Sequence, residues 1–141
     1  MKSLLCGIFL MLLFLFSGAF VNMGLIIAGM NLIPPPEGVD FSVAESLVKG
    51  AHLLEPKHFI FPFLAHALGT FVATFLLVFI LKSSSLSVKL SWVIGLLFFL
   101  GGLMMVFEIP APLWFDLLDL SLAYFPMVFL AQRLSRFLLP K

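Results

Sequence analysis

The sequence predicts an all-α membrane protein with four transmembrane helices. Of its 141 residues, 62% are hydrophobic and only 11% are charged, whereas about 25% of the residues in a typical soluble domain are charged. The mean hydropathy is +1.21. Apolar segments long enough to span a membrane alternate with short polar breaks. They cover about residues 4–33, 59–81, 90–107 and 113–131.

Charged residues are distributed unequally between the two ends of these segments. One end carries all seven carboxylates of the chain, and the other carries most of the basic residues. By the positive-inside rule we expect both termini to be cytoplasmic, in a multi-pass protein of the cell inner (plasma) membrane. The inner basic residues are Lys2, Lys82, Lys89, Arg133, Arg136 and Lys141, and the outer carboxylates are Glu37, Asp40, Glu45, Glu55, Glu108, Asp116 and Asp119.

Several functional classes are disfavoured by composition. We expect residues 1–141 to form a single domain, since the longest polar stretch, 34–58, is too short to build its own core. Cys6 is the only cysteine, which excludes an intramolecular disulfide and the four-helix redox proteins that use paired cysteines. Membrane lipid is the expected surrounding. There is no basic patch for nucleic acid, no catalytic motif, and no indication of a cofactor.

The first apolar segment predicts a long, uncleaved anchor helix. It continues to Ile33, far beyond the apolar core of a signal peptide. A helix over these roughly 30 residues would be about 45 Å long, more than the ~30 Å hydrocarbon core. Gly24 and Ala28, four residues apart, predict a site of close helix packing. The prolines at 34–36 end the helix.

A short amphipathic helix is expected in the outer loop. Ser42 and Glu45 match a capping box at its start, and Pro56 ends it. Apolar residues between 43 and 54 fall near one face, which is typical of a helix lying on the membrane interface.

Two parallel stripes mark the second transmembrane helix. Both repeat every four residues, and both should face protein rather than lipid. The small stripe is Ala65, Gly69 and Ala73, and the polar stripe is His66, Thr70 and Thr74.

The last two transmembrane helices carry glycine and proline signals. Gly95, Gly101 and Gly102 predict close packing of the third helix. Pro126 predicts a kink in the fourth. Residues 132–141 are predicted to form a short basic amphipathic segment, a surface stub that lies on the headgroups of the inner leaflet.

Ionisable residues within the apolar segments suggest a site near the outer end. His66 lies about 10 Å below the start of the second helix, and Asp119 about 9 Å below the start of the fourth. The two side chains should therefore meet if these helices are neighbours. Such residues are costly in a membrane, so they are the first candidates for function. The candidate ligand-binding or ion-binding set is His66, Asp116, Asp119, Glu108 and His58.

Three interpretations of this set stay open at the level of sequence. One is an interhelix hydrogen bond of purely structural role. Another is a metal or small-cation site, although no His-x-x-x-His or Glu-x-x-His pattern occurs. The third is a proton-sensitive ligand pocket that opens outward. Further intramembrane polar residues are Asn22, Thr70 and Tyr124. Asn22 should bond to a neighbouring helix, and Tyr124 is a candidate partner for it.

A combination of motifs resembles a group of small bacterial four-helix integral membrane proteins. The motifs are Pro34-Pro35-Pro36-x-Gly38-x-Asp40, His66-x-x-Gly69-Thr70 and Pro110-x-Pro112-x-Trp114-Phe115-x-x-x-Asp119. The resemblance implies a four-helix fold and a location in the membrane, and it implies no activity.

Two functions follow as hypotheses. Small residues on three helices favour a self-associating bundle or an accessory subunit of a larger membrane complex, without catalysis. The alternative is binding or transport of a small molecule, metal or proton-coupled ion through the outward-facing His/Asp cluster.

Overall fold

The computed structural model describes residues 2–139 and is built from helices. Four of them are long and apolar enough to cross a membrane, which confirms the all-α class and a multi-pass membrane protein. Lys141, predicted as part of the basic tail, lies outside the described residues. The four candidate spans are Leu4–Leu32, Pro56–Ile80, Ser85–Glu108 and Leu113–Leu138.

Six α-helices make up these spans and one connection. The first two long helices lie close to their predicted bounds, whereas the third begins earlier than predicted. Its start is set by Ser84, whose hydroxyl caps the helix by accepting a 3.2 Å hydrogen bond from Ser87 N. Two short 3₁₀ helices, Ala51–Leu53 and Pro56–Phe59, lead from α2 into α3. The α-helices are α1 Lys2–Leu32, α2 Ala44–Gly50, α3 Ile60–Ile80, α4 Ser85–Glu108, α5 Leu113–Leu122 and α6 Phe125–Leu138.

Helix α3 lies at the centre and packs against α1, α4 and α6. Its small and polar stripes face protein as predicted, since Ala65, Thr70 and Thr74 are all fully buried. The backbones of α1 and α3 come into contact where Gly18 meets Gly69. A Cβ added to Gly69 would lie only 2.9 Å from the Gly18 carbonyl oxygen, so this crossing requires glycine.

Two other glycines make no close helix contact among the described residues. Gly24 and Gly101 are exposed, and a Cβ added to either would meet nothing within 4 Å. Gly24 therefore meets no helix among the described residues, and close helix packing at Gly24 and Ala28 stays a prediction for contacts with another chain. Several small residues of α1 recur at helical spacing, and spacing alone does not tell which face meets α3.

Near Pro126 the fourth span is broken rather than bent. Helix α5 ends at Leu122, and Tyr124, with φ −118° and ψ −84°, separates it from α6. Pro126 then lies in the first turn of α6, where its missing N–H costs no hydrogen bond. Ala123 and Tyr124 are fully buried, which satisfies the rule that irregular backbone at membrane depth is enclosed by protein.

The segment predicted as a surface stub is instead the second half of α6. Gln132 is buried and its amide donates a 2.8 Å hydrogen bond to Ser91 Oγ of α4. Ser135 is also fully buried. The interfacial stub is therefore wrong for residues up to Leu138, because these two polar side chains are satisfied inside the bundle.

The connection between α1 and α3 contains α2, which is shorter than predicted. Its N-cap is Val43, and the expected capping box does not form. Ser42 instead bonds backward, because its N–H and hydroxyl both donate to Asp40 Oδ1, at 2.8 and 2.6 Å. These two bonds hold the pKa of the Asp40 carboxyl below its usual value.

Candidate functional site

One end of the bundle contains a partly open cavity of about 330 Å³. We call this the acidic end; it consists of the α1–α3 connection (residues 33–59), the α4–α5 turn (residues 109–112) and the parts of the four spans that adjoin them. Side chains of all four spans line the cavity, and its walls are mostly apolar. Ile26, Met30, Phe61, Pro62, Met105 and Val106 are among them.

The connection contributes a further part of the lining that the sequence did not point to. Phe41, Leu47 and Leu54 line the cavity from this segment. For Leu47 and Leu54 the signal in the sequence was the apolar face proposed for a helix on the membrane interface, and Phe41 lies before that segment. In the structure the three side chains line the cavity instead.

A hydrogen-bonded trio adjoins the cavity, at the level of the α5–α6 break: His66 and Asp119 line it, and the fully buried Tyr124 does not. His66 Nδ1 is 2.8 Å from Asp119 Oδ2, so the predicted contact between α3 and the fourth span is confirmed. The Tyr124 hydroxyl donates to the same oxygen at 2.9 Å. Because a carboxylate only accepts hydrogen bonds, this geometry places the imidazole proton on Nδ1. We call these three residues the Asp119 network.

Each member of the network is positioned by its own element. Thr70 Oγ1 donates to the His66 carbonyl at 2.8 Å on α3. The break before α6 allows Tyr124 to reach back to Asp119, five residues earlier. Gly102 of α4 leaves room for the tyrosine, since a Cβ there would overlap the Tyr124 hydroxyl. The Tyr124 ring also stacks on His66, with 5.7 Å between ring centroids.

The second oxygen of Asp119 is left without a partner. Asp119 is 3% exposed, and Oδ1 accepts no hydrogen bond from any described residue. Burying a polar atom without a partner costs about 1–3 kcal/mol, and more for a charged group. Asp119 is also one of the residues that line the cavity.

Asn22 contributes a second free polar group to the same cavity. It lines the cavity from α1, and its amide forms no hydrogen bond with other residues in the described part of the chain. The predicted interhelix bond of Asn22, with Tyr124 as one candidate partner, is therefore not formed. Tyr124 bonds to Asp119 instead.

The remaining candidate residues differ in their positions. Asp116 is half-buried and lines the cavity, whereas Glu108 is exposed at the end of α4 and lies outside the lining. His58 also lines the cavity, but both of its ring nitrogens face backbone groups. Nδ1 accepts from Glu55 N at 2.9 Å, and Nε2 lies 3.3 Å from the Pro34 carbonyl. His58 therefore joins the start of α3 to the end of α1.

These positions bear on the metal interpretation of the site. Within residues 2–139, no three His, Cys, Asp or Glu side chains are grouped so that they could hold a metal ion. His66 and Asp119 bond each other, Glu108 is exposed and lies outside the cavity lining, and His58 bonds to backbone groups. The residues predicted for a metal centre therefore do not come together as a set of metal ligands in the described part of the chain.

Comparisons with protein-family models, with curated proteins and with solved structures find no match for this chain.

Proposed function

We propose that the protein binds a small lipophilic molecule in the cavity at the acidic end, with Asp119 as its polar anchor. The observation that carries this proposal is the buried carboxylate of Asp119, a residue that lines an apolar cavity and whose Oδ1 has no hydrogen-bond partner among the described residues. A concave, mostly apolar site with a few convergent polar groups is the usual form of a small-molecule site, and a volume of about 300–1,000 Å³ is typical. The purely structural interpretation explains only Oδ2, which both donors share.

The orientation of this site is part of the proposal. We propose that both termini are cytoplasmic and that the membrane is the cell inner (plasma) membrane, so the cavity lies in the outer half of the bilayer. The support is the charge distribution, with every carboxylate toward the acidic end and most basic residues toward the other. The α2 segment then lies on the outer interface.

Tryptophan fluorescence offers a direct test. Trp114 packs against Phe59 and Phe115, with ring centroids 5.6 and 5.9 Å apart, and both phenylalanines line the cavity. The substitution Trp92→Phe leaves Trp114 as the only tryptophan. In nanodiscs of neutral lipid, titration with 4-phenylbutan-1-ol should change the Trp114 emission saturably.

A matched pair of variants on α4 provides the control. Val106 lines the cavity, whereas Val93 is exposed on the same helix and does not. Val106→Phe should fill part of the cavity and weaken binding by about tenfold, and Val93→Phe should leave it unchanged. Equal binding by both variants would place the probe elsewhere and contradict the proposed site.

A second function is supported by a different observation. Gly24 and Gly101 are exposed on α1 and α4 with open space around them, and exposed small residues allow another helix to approach closely. We therefore retain the proposal of a self-associating or accessory membrane subunit. Crosslinking in native membranes should then give an oligomer or a partner adduct that Gly24→Leu abolishes. A monomer without any adduct in both proteins would contradict it.

A further inference from the structure

We infer that the molecule bound in this cavity is a lipophilic amine whose ammonium group contacts the free oxygen of Asp119. This inference rests on the proposed ligand-binding function and narrows it to one chemical class. Three features of the lining carry it: its charge, its hydrogen-bonding capacity and its aromatic rings.

The charge of the lining favours a cation. Asp116 and Asp119 both line the cavity, and no lysine or arginine does among the described residues. Two basic residues of the acidic end, Lys49 and Lys57, are exposed and paired with glutamates at 2.7 and 3.0 Å. His66 already satisfies Asp119 Oδ2 through Nδ1–H. A positively charged ligand would therefore compensate the carboxylates, whereas a fatty acid or a phosphate would meet like charge.

Hydrogen-bonding capacity points in the same direction. Asp119 Oδ2 already faces two donors, so the unmet requirement at this carboxylate is a donor to Oδ1. His66 Nε2 bonds to none of the described residues, and it is an acceptor when the ring carries only its Nδ1 proton. The Asn22 carbonyl is a third acceptor in the lining. An ammonium group offers up to three donors and no acceptor.

The apolar remainder of the cavity suits the rest of such a molecule. Phe41, Phe61 and Phe115 are among the lining residues. Aromatic faces attract cations within about 6 Å of the ring centroid, most strongly where water is excluded. The aliphatic walls from α1 and α4 would accept the lipophilic body.

The test compares two probes that differ in one group. We would titrate 4-phenylbutylamine and 4-phenylbutan-1-ol against the Trp92→Phe protein in phosphatidylcholine nanodiscs, with empty nanodiscs as the baseline. At pH 7 the amine is a cation and the alcohol is neutral, on the same skeleton. The amine should bind at least about tenfold more tightly, since only the ammonium adds the attraction between opposite charges to its hydrogen bond with the carboxylate.

Variants locate the amine. Asp119→Asn keeps the shape and removes the charge, so the affinity for the amine should fall about tenfold more than the affinity for the alcohol. Asp40→Asn removes an exposed carboxylate outside the lining and should change neither affinity. If Asp119→Asn does not fold, the two probes on the unmodified site still decide the question.

The two proposals fail in different ways. Equal affinities for amine and alcohol would overturn the amine inference and leave a lipophilic binding site in place. Absence of any saturable signal with either probe would overturn the ligand-binding function itself. Tighter amine binding that Asp119→Asn does not reduce would also overturn the inference, because the cation would then be held elsewhere.

Discussion

Asp119 is held in the bundle by donors that reach only one of its two oxygens. His66 Nδ1 and the Tyr124 hydroxyl lie 2.8 and 2.9 Å from Oδ2. Hydrogen bonds to a charged group contribute about 1.5–3 kcal/mol, more than bonds between neutral groups. Stability of the empty protein should therefore depend on these two donors, and ligand binding on the other oxygen.

Tyr124→Phe tests the structural half of this division. The change removes one donor to Asp119 Oδ2 from a fully buried position and leaves the ring in place. We expect the free energy of unfolding to fall by about 1–3 kcal/mol, measured by thermal or denaturant unfolding in mild detergent. Ser121→Ala is the matched hydroxyl deletion, since Ser121 is exposed and bonds only its own helix, and it should cost less than about 0.5 kcal/mol. Equal stability of the two variants would mean that His66 alone holds the carboxylate.

The sequence predicted the contact between His66 and Asp119 but not the contact of Tyr124 with Asp119. Depth along a helix is a simple count of residues, so His66 and Asp119 could be matched by their distance from the same end. Tyr124 could not be assigned to Asp119 in that way. Residues five apart on an unbroken helix lie about 140° around its axis, and only the break at Tyr124 brings the hydroxyl back. Whether a proline bends a span or breaks it depends on the helices packed around it.

At the scale of elements, α4 and the α5–α6 break fit together through a single glycine. Gly102 is buried where the Tyr124 hydroxyl passes, and its neighbour Gly101 faces open space. Both were predicted as packing residues, because their sequence context is the same. The rotation of α4 about its axis decides which of the two adjacent glycines meets a neighbouring helix. The sequence defines that rotation poorly, because nearly every residue of α4 is apolar and no single face stands out.

Alanine at each position separates these two roles. Gly102→Ala would force Tyr124 away from Asp119, so we expect a loss of about 1–3 kcal/mol in stability from overpacking. Gly101→Ala should be neutral or stabilise the helix by up to about 1 kcal/mol, because alanine is the better helix former. Unfolding in detergent measures both. If Gly102→Ala were as stable as Gly101→Ala, the close approach of α4 to Tyr124 would be incorrect.

At the scale of the whole molecule, the site and the charge asymmetry occupy the same end. The cavity, the Asp119 network and the α1–α3 connection all belong to the acidic end. The sequence predicted this placement because carboxylates, prolines and the polar loop recur at the same ends of the apolar segments. It did not predict a cavity, since a cavity depends on how four helices and a connection fail to fill the space between them.

Cysteine accessibility decides which face of the membrane this end meets. In a Cys6→Ser background, Glu37→Cys places a thiol on the exposed connection, and Ser85→Cys places one at the exposed start of α4, at the opposite end. With both termini cytoplasmic, a membrane-impermeant maleimide added to intact cells should label Glu37→Cys, and should label Ser85→Cys only after permeabilisation. The reverse pattern would turn the cavity toward the cytoplasm. The basic residues would then lie outside, against the positive-inside rule, and an amine ligand would have to come from the cell interior.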